Sequence, residues 1–279
     1  MTVGALALVS VLSCTSTSTV SPTPSTASPT ASTASPTAST ASPTASTASP
    51  TTTATAEGAL VEFADAARAA DARLRHAAEL INGSIRPDAI VVDERTAAAV
   101  LATDPSPVAA AIPAGMPPRL LLPVLTVYSD LVSRSAAMGF FKIAKTYPRA
   151  SSAGQGFPDA AFVLGCLKHG APAAHRFGAD LAAVSAAARS TPPLTAVRPA
   201  SLASADLAVR LASIELRNNC SDECGGYVAT TLASIVWDHA ASTATTRSGS
   251  IANEGADGRI RFTATYSPRG GWTVHLAAC

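Results

Sequence analysis

The first 56 residues carry no charged side chain, and from Ser25 to Thr51 they repeat Ser-Thr-Ala-Ser-Pro-Thr-Ala with a period of seven. This stretch constrains the fold more than any other because it cannot contribute to a core. No repeat position holds an aromatic or a large aliphatic residue, and a proline recurs in every unit to stop a helix. A seven-residue period without large apolar positions is not a coiled coil. It reads as extended, solvated chain. At about 3.1 Å per residue, the 42 residues from Thr15 to Ala56 reach at most about 130 Å. Ser/Thr-rich chain with proline is also the composition of O-glycosylated stalks.

Ahead of the repeat, Met1 to Cys14 is an apolar run closed by small residues and a cysteine, the pattern of an export signal. The 13 residues before Cys14 are too few to cross a hydrocarbon core, which needs about 20. Val11-Leu12-Ser13-Cys14 resembles the lipobox of bacterial lipoproteins, although no Lys or Arg precedes the apolar run. That resemblance implies cleavage before Cys14 and a diacylglycerol on its thiol. Several acyl chains on one residue hold a protein durably at a membrane, where a single chain would not. The expected layout is a signal peptide over 1–13, a lipid-anchored linker over 14–56 and one folded domain over 57–279. The expected location is the extracytoplasmic face of the cell membrane.

All 20 Lys and Arg and all 19 Asp and Glu lie at or beyond Glu57, for a net charge of +1. The basic footprint of a nucleic-acid-binding protein is absent. Within the domain, Leu60, Phe63, Ala67, Ala70, Leu74, Ala77 and Ile81 step by three and four, with Glu62, Asp65, Arg68, Asp71, Arg73 and Arg75 on other faces. This predicts an amphipathic helix ended by a left-handed stop at Asn82-Gly83. A second helix is expected from Asp93 through Ala102, and irregular chain from Pro105 to Pro118. Leu120 to Met138 is the most apolar segment of the domain, but its uncharged window between Arg119 and Asp130 is only ten residues. A buried helix is therefore predicted there rather than a membrane span. Further helices are expected over 158–169, 171–189 and 202–218, the first two separated by Gly170 and Pro172. Their alanine-rich faces pack closely but bury little area per residue.

After Gly226 the texture changes to Val, Thr, Ile and aromatic residues. Strands are expected over 227–237, near 244–252, over 259–266 and over 272–276, the last two joined by a turn at Ser267 to Gly271. The expected fold class is α+β, with a helical part over 57–219 and an antiparallel β-meander within 226–279. Helices leading into a curved antiparallel sheet resemble the nuclear-transport-factor-2-like superfamily over about the last 55 residues. That resemblance implies a pocket between helix and sheet, rests on no motif and assigns no catalytic residue.

Four cysteines follow Cys14, an even number that in an exported chain favours two disulfides. The expected pairs are Cys224 with Cys279 and Cys166 with Cys220. The first rests on the premise that the end of the last strand and the start of the first share a sheet edge. In Cys220-Ser-Asp-Glu-Cys224, three residues rather than two separate the thiols, and the two acids raise thiol pKa values, so a redox role is disfavoured.

No nucleophile elbow, phosphate-binding glycine loop or zinc-binding helix motif occurs, and neither a metal nor a cofactor is expected. His169 and His175 do not share a helix face, and Asp180, Asp222 and Glu223 lack the ligand spacing of a calcium loop. Phe140, Phe141 and Tyr147 are expected to cap the core while Lys142 and Lys145 face water. One candidate polar site remains, in which Asp238 and His239 are joined by His275 across the sheet. The expected role is a non-enzymatic envelope lipoprotein that binds a wall polymer, a small ligand or an envelope protein. The alternatives are a wall hydrolase that uses Asp238, His239 or His275 as acid or base, and a structural or surface-display protein.

Overall fold

The computed structural model describes residues 53–142, 144–149, 159–219, 227–253 and 258–277, all within the unit that begins at Ser49. The export-type segment, Cys14 and most of the linker lie outside the described residues. So do Cys220, Cys224 and Cys279, and with them both expected disulfide pairings.

After β1 (Thr53–Ala54), the predicted first helix is built as α1 (Ala56–Ala59) and α2 (Val61–Gly83), meeting at Leu60. The whole predicted apolar stripe is buried. The helix end differs from expectation. Gly83 is not among the glycines with positive φ, and α2 closes instead at Ser84, whose hydroxyl donates to the Leu80 carbonyl at 2.8 Å. A side chain that ties itself to the last turn replaces the left-handed stop.

β2 (Ala89–Val91) leads to α3 (Glu94–Leu101), where the Asp93 carboxylate accepts from the Thr96 N–H at 2.7 Å. That bond holds the Asp93 carboxyl below the usual range. The proline-rich stretch contains one short helix, α4 (Ser106–Ala110). α5 (Pro118–Ala137) is the buried helix expected, and no described helix is long and apolar enough to cross a membrane. A 3-10 turn (Gly139–Lys142) and β3 (Thr146–Pro148) follow. Phe141 and Tyr147 are buried edge to face, with Lys142 and Lys145 exposed.

α6 (Ala160–Arg189) runs unbroken for 30 residues, so Gly170 and Pro172 do not divide it as expected. An interior proline costs a helix about 3 kcal/mol, and here the helix that carries it lies packed against α5. Ala160, Val163, Ala173, Phe177, Leu181, Val184 and Ala188 are all buried. At Gly170, a Cβ would stand 3.2 Å from Cγ of Arg134, so the missing side chain allows the close approach. The side chain of His169 lies outside the described residues, and Cys166 is fully buried beside Ala137 and Phe140.

Past β4 (Leu194–Thr195), which pairs with β1, α7 (Leu202–Asn219) leads to the sheet. The sheet is the expected four-stranded antiparallel meander, β5 (Ile235–Asp238), β6 (Thr246–Ala252), β7 (Arg259–Ser267) and β8 (Gly271–Leu276), in sequential order. Its inner face puts Ile251, Ile260, Phe262 and Ala264 against Val209 of α7. Gly249 stands on that face because a Cβ would meet the Phe262 ring at 2.8 Å and the Val236 carbonyl at 2.3 Å.

One expectation about the sheet is corrected. Residues 227–234 are not strand. The Tyr227 and Ala229 carbonyls accept from the Ser129 and Thr126 hydroxyls of α5 at 2.7 and 2.8 Å. The segment's β-type composition suits extended chain, but Tyr227, Ala229 and Ala233 are held by side chains of α5 and α7, and only at Ser234, which accepts from the Ala252 N–H, does pairing with β6 begin. The start of β5 and the end of β8 lie at one end of the sheet, as the pairing of Cys224 with Cys279 supposes, although both cysteines lie outside the described residues. β5 and β8 themselves are the outer strands, separated by β6 and β7.

Candidate functional site

The meander's alternation sorts its residues cleanly by face. Asp238 pairs with Ser248, Ser248 with Thr263, and Thr263 with His275, so these four form one row across the outer face. Asp238 and His275 therefore share a face but not a site. Three strand spacings, about 14 Å, lie between their backbones. His239 follows the end of β5, is exposed and does not line this face. The expected convergence of Asp238, His239 and His275 does not occur, and a hydrolase built on them loses its acid–base centre.

What the face offers is an open trough of about 750 Å³ lined by Val236, Asp238, Ser248, Arg261, Thr263 and His275 among others. The Asp238 carboxylate is turned to the strand end, where it accepts from the N–H groups of Ala240 and Ala241 at 3.1 and 3.2 Å. Arg259 is fastened across the strands to Ser234 and Ser250 at 2.8 to 3.0 Å. Arg261 has no ion pair among the described residues. The trough thus presents a free guanidinium, an imidazole and several hydroxyls.

A second polar constellation lies inside the helical layer, where α2, α5 and α6 meet. Asp71 accepts from Nη1 of Arg134 on one oxygen at 2.6 Å and from Nε of Arg75 on the other at 2.8 Å. The Arg134 side chain is only 5% exposed. One turn earlier on α5, Asp130 is 1% exposed and lies 3.5 Å from Arg176 of α6. Asp130 also faces the Asp180 carboxyl, and the Oδ2 atoms of both aspartates are buried without a donor. Burial pushes the Asp130 carboxyl up to about 6; Arg176 opposes the rise and Asp180 adds to it. One proton shared by the two carboxyls answers both orphaned oxygens. Nearby, the Tyr128 hydroxyl donates to the Glu215 carboxylate, and burial raises its pKa, so it stays a donor.

Sequence reasoning assigned Asp71 to a solvent face, weighed Asp180 only as a calcium ligand and used Asp130 and Arg134 only to reject a membrane span. The usable signal was their spacing of four in the domain's most apolar stretch, which puts two opposite charges on one buried helix face.

Comparison with models of protein families, with curated proteins and with solved structures returns no match to this chain.

Proposed function

We propose that this chain is an extracytoplasmic lipoprotein of the cell envelope, without catalytic machinery, whose domain holds an anionic wall polymer on the outer face of its meander. Cys14 carries the anchor, and the uncharged repeat carries the domain away from the bilayer. The observation that supports binding rather than catalysis is the sheet face itself, where the candidate acid and base stand at opposite edges and an open trough runs between them. A trough open to solvent suits an extended ligand. Arg261, which has no ion pair among the described residues and lies beside hydroxyls of Ser248, Ser250 and Thr263, suits an anionic one.

The test is co-sedimentation of the full chain with insoluble wall material. Retention is expected to fall as salt screens the contact, and Arg261→Glu is expected to reduce it about tenfold, the scale of one charge-assisted contact. Unchanged retention of Arg261→Glu would remove the sheet face from the reading. The anchor has its own readout. Intact-mass analysis of the exported protein is expected to find the mature N-terminus at Cys14 with diacylglycerol attached, and an unmodified peptide spanning Cys14 rules that anchor out.

A further inference from the structure

We infer that the groove between α2, α5 and α6 is a binding site for a free single-chain carboxylate, an acyl chain with its acid group at the mouth. The groove encloses about 280 Å³. Leu74, Ala78, Met138, Leu164, Leu167 and Ala171 supply apolar walls, and of the cations in the lining Arg75 and Lys168 are exposed while Arg134 is buried. A nucleotide or sugar would find few hydrogen-bond partners on such walls and would lose its hydration there. A hydrocarbon loses nothing.

Charge selects the head group. Arg75, Arg134 and Lys168 all line the groove, and no carboxylate does. The one acid in contact, Asp71, is divided between Arg75 and Arg134, so a single negative charge answers two guanidinium groups. Arg75 reaches over to α6, where its Nη2 donates to the Ala174 carbonyl at 2.6 Å. Lys168 is exposed and has no ion pair among the described residues. One turn along, the buried Asp130 faces Arg176 rather than the groove's lining. The surplus charge of the lining is positive, and its exposed members are Arg75 and Lys168, complementary to an anionic amphiphile held head-out. A groove of about 280 Å³ between three helices suits one acyl chain rather than the two of a diacyl lipid.

This inference is independent of the sheet face, and its variants leave Arg261 and the meander intact. The experiment is calorimetric titration of the full chain, with Cys14→Ser so that its own acyl groups do not compete, using dodecanoate below its micellar concentration and dodecanol as the uncharged match. Saturable one-to-one binding of dodecanoate, at least tenfold tighter than dodecanol, is expected. Lys168→Glu, at an exposed position, should remove most of that preference and leave dodecanol binding as it was. Ala171→Trp, also exposed, should fill the groove and abolish both, with thermal unfolding checked for each variant. Three results overturn the inference: equal binding of the two ligands, an unaffected Ala171→Trp, or phosphatidylglycerol vesicles that bind the chain and displace dodecanoate, which would assign the site to a membrane surface.

Discussion

Asp71→Ala is expected to lower the folding free energy by about 3 to 5 kcal/mol, the range for stripping one partner from a buried ion pair. The Asp71 carboxylate is what allows Arg134 to sit at 5% exposure in the last turn of α5. Removing it leaves a guanidinium among helices with little water, and Asp130, one turn away, is already engaged by Arg176. The reverse change should be milder. Arg134→Met leaves Asp71 with Arg75, which is 49% exposed, and restores apolar volume to the site. A loss less than half that of Asp71→Ala is expected, since replacing a buried ion with a well-packed apolar residue is often nearly neutral. Urea denaturation of both variants at unchanged m-value measures the difference. Equal losses would show that the burial of Arg134 does not control the cost.

The second large effect is a dependence of stability on pH. The Asp130 carboxyl rises from an ordinary value of 3.8 to about 6 in the folded chain, so the folded state prefers its neutral form. Stability from this group is complete below the unfolded value, declines as pH climbs from about 4 to 6, and is level above that. A rise of about two units corresponds to roughly 3 kcal/mol across that window. Asp93 and Asp104 run the other way, since backbone and side-chain hydrogen bonds lower both, and their contribution disappears as pH falls. Asp180→Asn isolates the pair. An amide there donates to Asp130 without needing a shared proton and removes the facing acid. This variant should gain stability over the parent at pH 7.5 and not at pH 4. Parallel stability curves for the two proteins across that range would sink the shared-proton assignment, and the opposing carboxylates cancel in the comparison because both proteins carry them.

Which parts of the fold were legible follows from what each signal measures. Spacings of three and four located α2 because a helix with one buried face must repeat that way, and Phe63, Leu74 and Ile81 are buried as their positions require. Alternation of Ile260, Phe262 and Ala264 with Arg259, Arg261 and Thr263 marked β7 for the corresponding reason. The misses share a different cause. Pro172 and Gly170 are local breakers whose effect is reversed by a neighbouring helix. Residues 227–233 have strand composition, but Tyr227 and Ala229 find their hydrogen-bond partners on α5 and Ala233 finds its partner on α7. Asp238 and His275 were assigned to one site from chain order and face alone, but strand order, which neither carries, puts them at opposite edges.

For this protein, the sequence by itself determined that an uncharged, coreless N-terminal stretch precedes a domain of alanine-rich helices followed by an antiparallel meander, because charge content, apolar period and turn residues are properties of neighbours along the chain. Only the tertiary structure decided that α6 is continuous, that Asp71, Arg134, Asp130 and Asp180 meet in the helical layer, and that the candidate acid and base stand apart on the sheet. Those outcomes depend on which residues distant in sequence share a low-dielectric interior or an adjacent strand, and local pattern holds no record of that.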